Sequence, residues 1–309
     1  MSTPEIRVGD SDLAELEPAV VQFERRRSEW LMTLSEAWRM GRTKIGVGIF
    51  LVIIAIAVVG PWVAPYSPTE LVAPPFSAPD IPKLWLGSDY IGRDVLTRVL
   101  YGGRTVILLA LAATVIGLGV GVTLGLITGY ARRWIDETIM RLLDVVLAFP
   151  QIVLTLLFVS ILGPRLWLIV LIVGISHAPR IARVARAATL EVAQRDFVRA
   201  AEAFGIARWK ILFNEIMPSI TSPLLVEFGL RLTSSIGLIA ALSFLGFGMQ
   251  PPSADWGLMI NENRIGIVIQ PWPVFVPVLL IGILTIATNL IADGLGRALI
   301  GIERDTGVG

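Results

Sequence analysis

The chain has 309 residues, 54% of them hydrophobic, a mean hydropathy of +0.73 and a net charge of +1. That charge gives no bulk electrostatic case for nucleic acid, and the absence of cysteine excludes disulfides, thiol catalysis and cysteine metal sites. The apolar residues are gathered into long runs. Ile45–Val63, Thr105–Tyr130 and Trp272–Ile291 carry no charge, and each is long enough for a helix to cross the bilayer core. The expectation is an all-α integral membrane protein.

In chain order, residues 1–44 form a polar N-terminal segment. Glu5, Asp10, Asp12, Glu15 and Glu17 make an acidic tip. Phe23, Trp30, Leu34 and Trp38 then recur at helical spacing beside Arg25, Arg26, Arg27, Arg39 and Arg42. This pattern predicts a helix lying in the headgroup region or packed on the protein's own face. A cleavable signal peptide would place its apolar core nearer the start, so 45–63 reads as a retained first span. Residues 64–104 open with Pro65, Pro68, Pro74, Pro75, Pro79 and Pro82, which predicts extended loop.

The core, 105–299, holds five further predicted spans, giving about six in all. Leu142–Leu162 contains Asp144, Pro150 and Gln151; Leu166–Ala185 carries Arg180 and Arg183; Ile220–Phe247 contains Glu227 and Arg231. Lys and Arg number seven in 1–44, three in 131–141, seven in 180–215 and two in 297–309, nineteen on one side. The other side has six: four in 64–104, then Arg165 and Arg264. By the positive-inside rule both termini, including the tail 300–309, and the 190–218 loop face the cytoplasm.

That loop is the most informative stretch. Phe197, Ala200, Ala201 and Phe204 make one apolar stripe; Trp209, Leu212, Phe213 and Ile216 make a second. Gly205 is suited to end the first helix, and Pro218 to close the second unit. The prediction is two short amphipathic helices hinged at glycine.

Arg199-Ala200-Ala201-Glu202-Ala203-Phe204-Gly205, with Pro218 thirteen residues further on, resembles the EAA loop of binding-protein-dependent ABC importers. Arg199 stands where the pattern begins with Glu. Leu86-Gly87-Ser88-Asp89, Gly92–Arg98, Tyr101–Arg104, Met140–Asp144, Ala148-Phe149-Pro150, Ser243–Gly248, Gln250-Pro251-Pro252, Asp255-Trp256-Gly257, Asn289 and Asp293 are similar, in order and spacing, to the peptide/nickel branch and its C-type subunit. The resemblance implies the type I ABC importer permease fold. It also implies that Asp196, Phe197, Arg199, Ala200, Ala201, Glu202, Gly205 and Pro218 form the ATPase-coupling element. Ala200 and Ala201, lacking bulk, would let an ATPase groove approach.

The implied assembly is a second permease chain, two ATPase subunits that bind ATP and Mg, and an extracytoplasmic substrate-binding protein, in a bacterial inner membrane. The chain has no G-x-x-x-x-G-K-[ST] loop, so a partner must use the ATP. Short peptides are the leading cargo, with nickel complexes, glutathione, haem and oligosaccharides as alternatives. An ATP-independent channel or scaffold is a rival of another class. An intramembrane enzyme would need a G-x-S-x-G or paired-Asp arrangement, and neither is present.

Gly117, Gly121, Gly125 and Gly129 fall every fourth residue, a smooth face for close helix packing. Glu227 and Arg231, four apart, read as an ion pair or as pore-lining charges, and Arg141 with Asp144 invites the same reading. His177 is the only histidine. A metal site needs several ligands, so it reads as a packed, hydrogen-bonded residue.

Overall fold

The computed structural model describes residues 29–131 and 133–305. The acidic tip, Phe23 and Arg25–Arg27 lie outside them. Among the described residues the secondary structure is helical, with only isolated β-bridges in the 64–94 loop. The elements are α1 (Glu29–Arg39), α2 (Gly41–Val63), α3 (Val95–Tyr130), α4 (Arg133–Leu147), α5 (Gln151–Leu162) and α6 (Leu166–Ala193). They continue with α7 (Asp196–Ala203), α8 (Arg208–Lys210), a π-helical turn (Ile211–Ile216), α9 (Met217–Ser219), α10 (Thr221–Phe244), α11 (Trp256–Asn263) and α12 (Trp272–Asp305).

Five of these, α2, α3, α6, α10 and α12, are long and apolar enough to cross a membrane. The sixth predicted span, Leu142–Leu162, is not one helix. It is the pair α4 and α5, bent by 82° at residues 148–150. Pro150 supplies the reason: it has no N–H to continue α4 and sets the residue before it away from helical geometry.

Several helices overrun the charge-free runs. The 64–104 loop ends at Asp94, whose side chain caps α3 by accepting from the Thr97 amide at 2.7 Å. The two arginines of the added turns find partners inside the protein. Arg98 is buried against Glu262 at 2.7 Å and Asp89 at 3.5 Å. Arg104 donates from Nε to the Ala57 carbonyl at 2.8 Å. That carbonyl is free because Pro61, four residues on inside α2, brings no N–H to it. At the far end α12 runs to Asp305, so most of the predicted tail is helix.

A main apolar core joins α2, α3, α5, α6, α10, α11 and α12. Gly102 and Gly103 of α3 leave room for Trp256, whose atoms would lie 2.8 and 2.6 Å from a Cβ at those positions. Its indole N–H donates to the Val99 carbonyl at 2.9 Å. Around this contact the 64–94 loop is pinned by a buried charge cluster. Arg93 reaches Asp89 (2.7 Å) and Glu262 (3.1 Å), and Asp89 Oδ1 also accepts from the amides of Ile91, Gly92 and Arg93. Burial holds the Glu262 carboxyl above its ordinary range, against the opposing pull of Arg98 and Arg93.

Helix α1 packs one face on the bundle and leaves the other exposed. Thr33 and Ala37 are buried, with Thr33 within 3.1 Å of Ser222 on α10, while Trp30, Leu34 and Trp38 are exposed.

Candidate functional site: the 190–218 loop and the charges of the spans

The 190–218 segment is anchored to the bundle by a second core. Val198, Ala201, Ile211 and Ile216 are buried there with Val122, Leu126, Ile181 and Ala185 of α3 and α6. Helix α7 ends in a Schellman motif: the Gly205 amide donates to Glu202 O at 3.0 Å and the Ile206 amide to Ala201 O at 3.1 Å. Gly205 has φ +74, and nothing lies within 4 Å of where its Cβ would be. The glycine is required by backbone conformation rather than by crowding. Glu202 accepts a hydrogen bond from the Tyr130 hydroxyl at the end of α3.

The apolar stripes divide differently from their predicted spacing. Ala201 faces the protein's own core, while Ala200 is exposed. It is therefore Ala200, with Asp196, Arg199 and Glu202, that is open to a partner. In the second unit the buried residues are Ile211 and Ile216, five apart, because the turn between them is π-helical. Pro218 explains this turn and does not close the unit. It has no amide to give to the preceding turn, and the chain passes through it into Ser219 before turning at Ile220. Facing away from the core are Phe204, 84% exposed, Trp209 at 61% and Phe213 at 52%. With Ile206 and Met217 they form an apolar surface on a segment whose other side is fixed.

The glycine face of α3 meets α6. A Cβ at Gly117 would lie 2.7 Å from the Gly174 carbonyl. At Gly121, Gly125 and Gly129 it would lie 2.6, 2.4 and 2.6 Å from the Cβ of Ile181, Ala185 and Thr189. The two backbones approach too closely for any side chain.

Glu227 and Arg231 form an ion pair at 2.8 Å, both largely buried. Asp144 pairs with Arg183 of α6 instead of Arg141. The bend at 148–150 directs α4 along α6, where Asp136 also takes Arg186 through two hydrogen bonds of 2.6 and 2.5 Å. His177 is buried, with Nε2 2.9 Å from Ser235 Oγ and Nδ1 3.2 Å from Gln151 Nε2. Thr114 donates to Ser235, and Gln151 to Ser176. Among the described residues no three His, Asp or Glu side chains are grouped to hold a metal ion.

A bundle of long apolar helices, a bent sixth span and an anchored loop with one apolar face define a multi-pass membrane transport subunit. Residues 121–301 match the family described as binding-protein-dependent transport system inner membrane component, and the chain belongs to that family. It is thus a permease of an ABC-type importer, a transport subunit and not an enzyme, residing in an inner membrane. The chain is 37% identical to the glutathione transport system permease GsiD of Pectobacterium atrosepticum, over 91% of this chain and 93% of that one. It is 37% identical to the di/tripeptide permease DppC of Pseudomonas aeruginosa, over 82% and 86% of the two chains. It is 35% identical to the dipeptide permease DppC of Haemophilus influenzae, over 82% and 88%.

Proposed function

We propose that this permease imports short peptides, glutathione included, delivered by an extracytoplasmic substrate-binding protein. It works with a second permease chain and with two ATPase subunits that hold the ATP and Mg. The names of the relatives support the cargo class. The nineteen-to-six distribution of Lys and Arg supports termini and a 190–218 loop in the cytoplasm. One observation carries the mechanism: Phe204, Trp209 and Phe213 are exposed on a segment whose opposite face is locked into the bundle. An ATPase that seats on those side chains cannot move without moving α7, the π-helical turn and, through the shared core, α3 and α6. Closure of the ATPases on ATP is thereby transmitted to the spans.

The test is a reconstituted complex carrying Ala200→Trp, with Ala201→Trp for comparison. At exposed Ala200 the added indole obstructs the ATPase while leaving the fold intact. ATPase pull-down and substrate-stimulated hydrolysis should fall together, and capture of peptide by the binding protein should be unchanged. At buried Ala201 the same side chain should lower the yield of folded permease. Normal ATPase retention and peptide uptake with Ala200→Trp would remove this surface from the coupling role, and a wild-type permease that purifies without any ATPase would favour a channel.

A further inference from the structure

Helices α6 and α10 carry four arginines: Arg180 at the middle of α6, Arg183 and Arg186 in its second half, toward the side proposed to be cytoplasmic, and Arg231 in α10. Three are neutralised, by Asp144, Asp136 and Glu227. Arg180 is exposed, and no described acid pairs with it. A bare arginine on a spanning helix is costly in lipid, and such groups sit at ion and substrate pathways.

Its surroundings place it. Residues three and four apart share a helix face. One turn before Arg180, Ser176 takes a hydrogen bond from Gln151 at the start of α5 (2.6 Å). One turn after it, Arg183 reaches Asp144 on α4. Arg180 therefore lies beside the bend at 148–150, between two points where the bent pair touches α6. The face of α6 that packs on α3 is a different one, carrying Gly174, Ala178, Ile181 and Ala185. His177, toward α10, is joined to Ser235. The polar chain Thr114, Ser235, His177, Gln151 and Ser176 thus ends one turn from Arg180 and offers it no anion. Phe149 and Ile152, at the bend, are exposed apolar walls.

We infer that Arg180 is a transient binding point for the carboxylate of the cargo as it passes the bend. The inference rests on the import reading above and specifies its chemistry. A guanidinium fork matches a carboxylate with two parallel hydrogen bonds, and short peptides share a free carboxylate whatever their side chains. One unpaired cation beside an ion pair already closed on itself, with neutral polar groups and apolar walls, is the composition of a small-ligand site. It can also release: the other three arginines are committed to fixed partners, and this one is not.

The experiment uses the full complex in vesicles and two probes, trialanine and its C-terminal amide, with import of each normalised to its capture by the binding protein. The wild type should import the acid about tenfold better than the amide, the discrimination that one charge-assisted hydrogen bond gives. In Arg180→Gln that ratio should fall to near one, and Arg180→Lys, which keeps the charge but not the fork, should restore only part of it, with both variants retaining the second permease and the ATPases. An unchanged ratio in Arg180→Gln overturns the assignment. So does loss of the second permease from that variant, which would put the counter-ion on the partner chain. Wild-type vesicles that import neither probe overturn the import reading itself, and the carboxylate site with it.

Discussion

At Gly125 a single methyl group would sit 2.4 Å from Ala185 Cβ and 2.7 Å from the Ala182 carbonyl, so even alanine forces α3 and α6 apart. Overpacking of this kind costs about 1–3 kcal/mol. Gly125→Ala should lower the melting temperature of the purified permease, whereas Gly119→Ala, with nothing within 4 Å, should leave it unchanged. Gly205 is sensitive for the other reason. Its φ of +74 disfavours a β-branched side chain although space is open. Gly205→Val should lose roughly 1–2 kcal/mol, the cost of left-handed backbone for an L-residue, while Gly205→Asn should lose much less. Thermal unfolding followed by helical circular dichroism checks both pairs. If valine and asparagine behave alike, the strain lies elsewhere in the loop.

The elements of the 64–94 end depend on one acid. Asp89 is fully buried and accepts from three backbone amides while facing Arg93 and Arg98. Asp89→Ala leaves two buried cations to share Glu262, and breaking a buried pair in this way costs about 3–5 kcal/mol. The expected result is protease cleavage within 64–94 in the variant under conditions where the wild type stays intact. Equal resistance would show that the tight turn alone holds the loop. Asp89, Arg93 and Arg98 stood in the quoted motifs, but their pairing with Glu262 was not legible, because Arg98 and Glu262 are 164 residues apart and the contact is purely tertiary. The spans were legible, since a charge-free apolar run and a membrane-crossing helix are the same physical requirement. Their ends were not: Arg98 and Arg104 look like loop residues until Glu262 and the Ala57 carbonyl are in place. The loop's hinge was visible in Gly205, but the facing of Ala201 was not. The π-helical turn shifted its neighbours from a three-and-four spacing to Ile211 and Ile216, five apart. The pairing of Asp144 likewise followed from the 82° bend, which Pro150 marks without fixing its direction.

For the whole molecule, the decisive arrangement is which end of the bundle meets the cytoplasm. The two ends differ in what they expose. One carries the proline-rich loop with its internally neutralised charges, Asp89, Arg93, Arg98 and Glu262. The other carries Arg199, Arg208 and Lys210 exposed beside Phe204 and Trp209. Cations next to spans resist translocation, and the nineteen-to-six count predicts that the second end faces the cytoplasm. The chain has no cysteine, which makes single-cysteine labelling clean. Ala78→Cys and Gln250→Cys, both at exposed positions of the first end, should react in intact cells with a membrane-impermeant maleimide. Ala207→Cys, exposed at the other end, should react only after the membrane is opened. The bent pair makes this more than a count of helices. α3 and α6 run parallel, Gly117 against Gly174 and Gly129 against Thr189, so α4 and α5 together must carry the chain back across once, and residues 78 and 250 share a side. Labelling of residue 78 without residue 250 in intact cells would therefore overturn the single crossing of the bent pair.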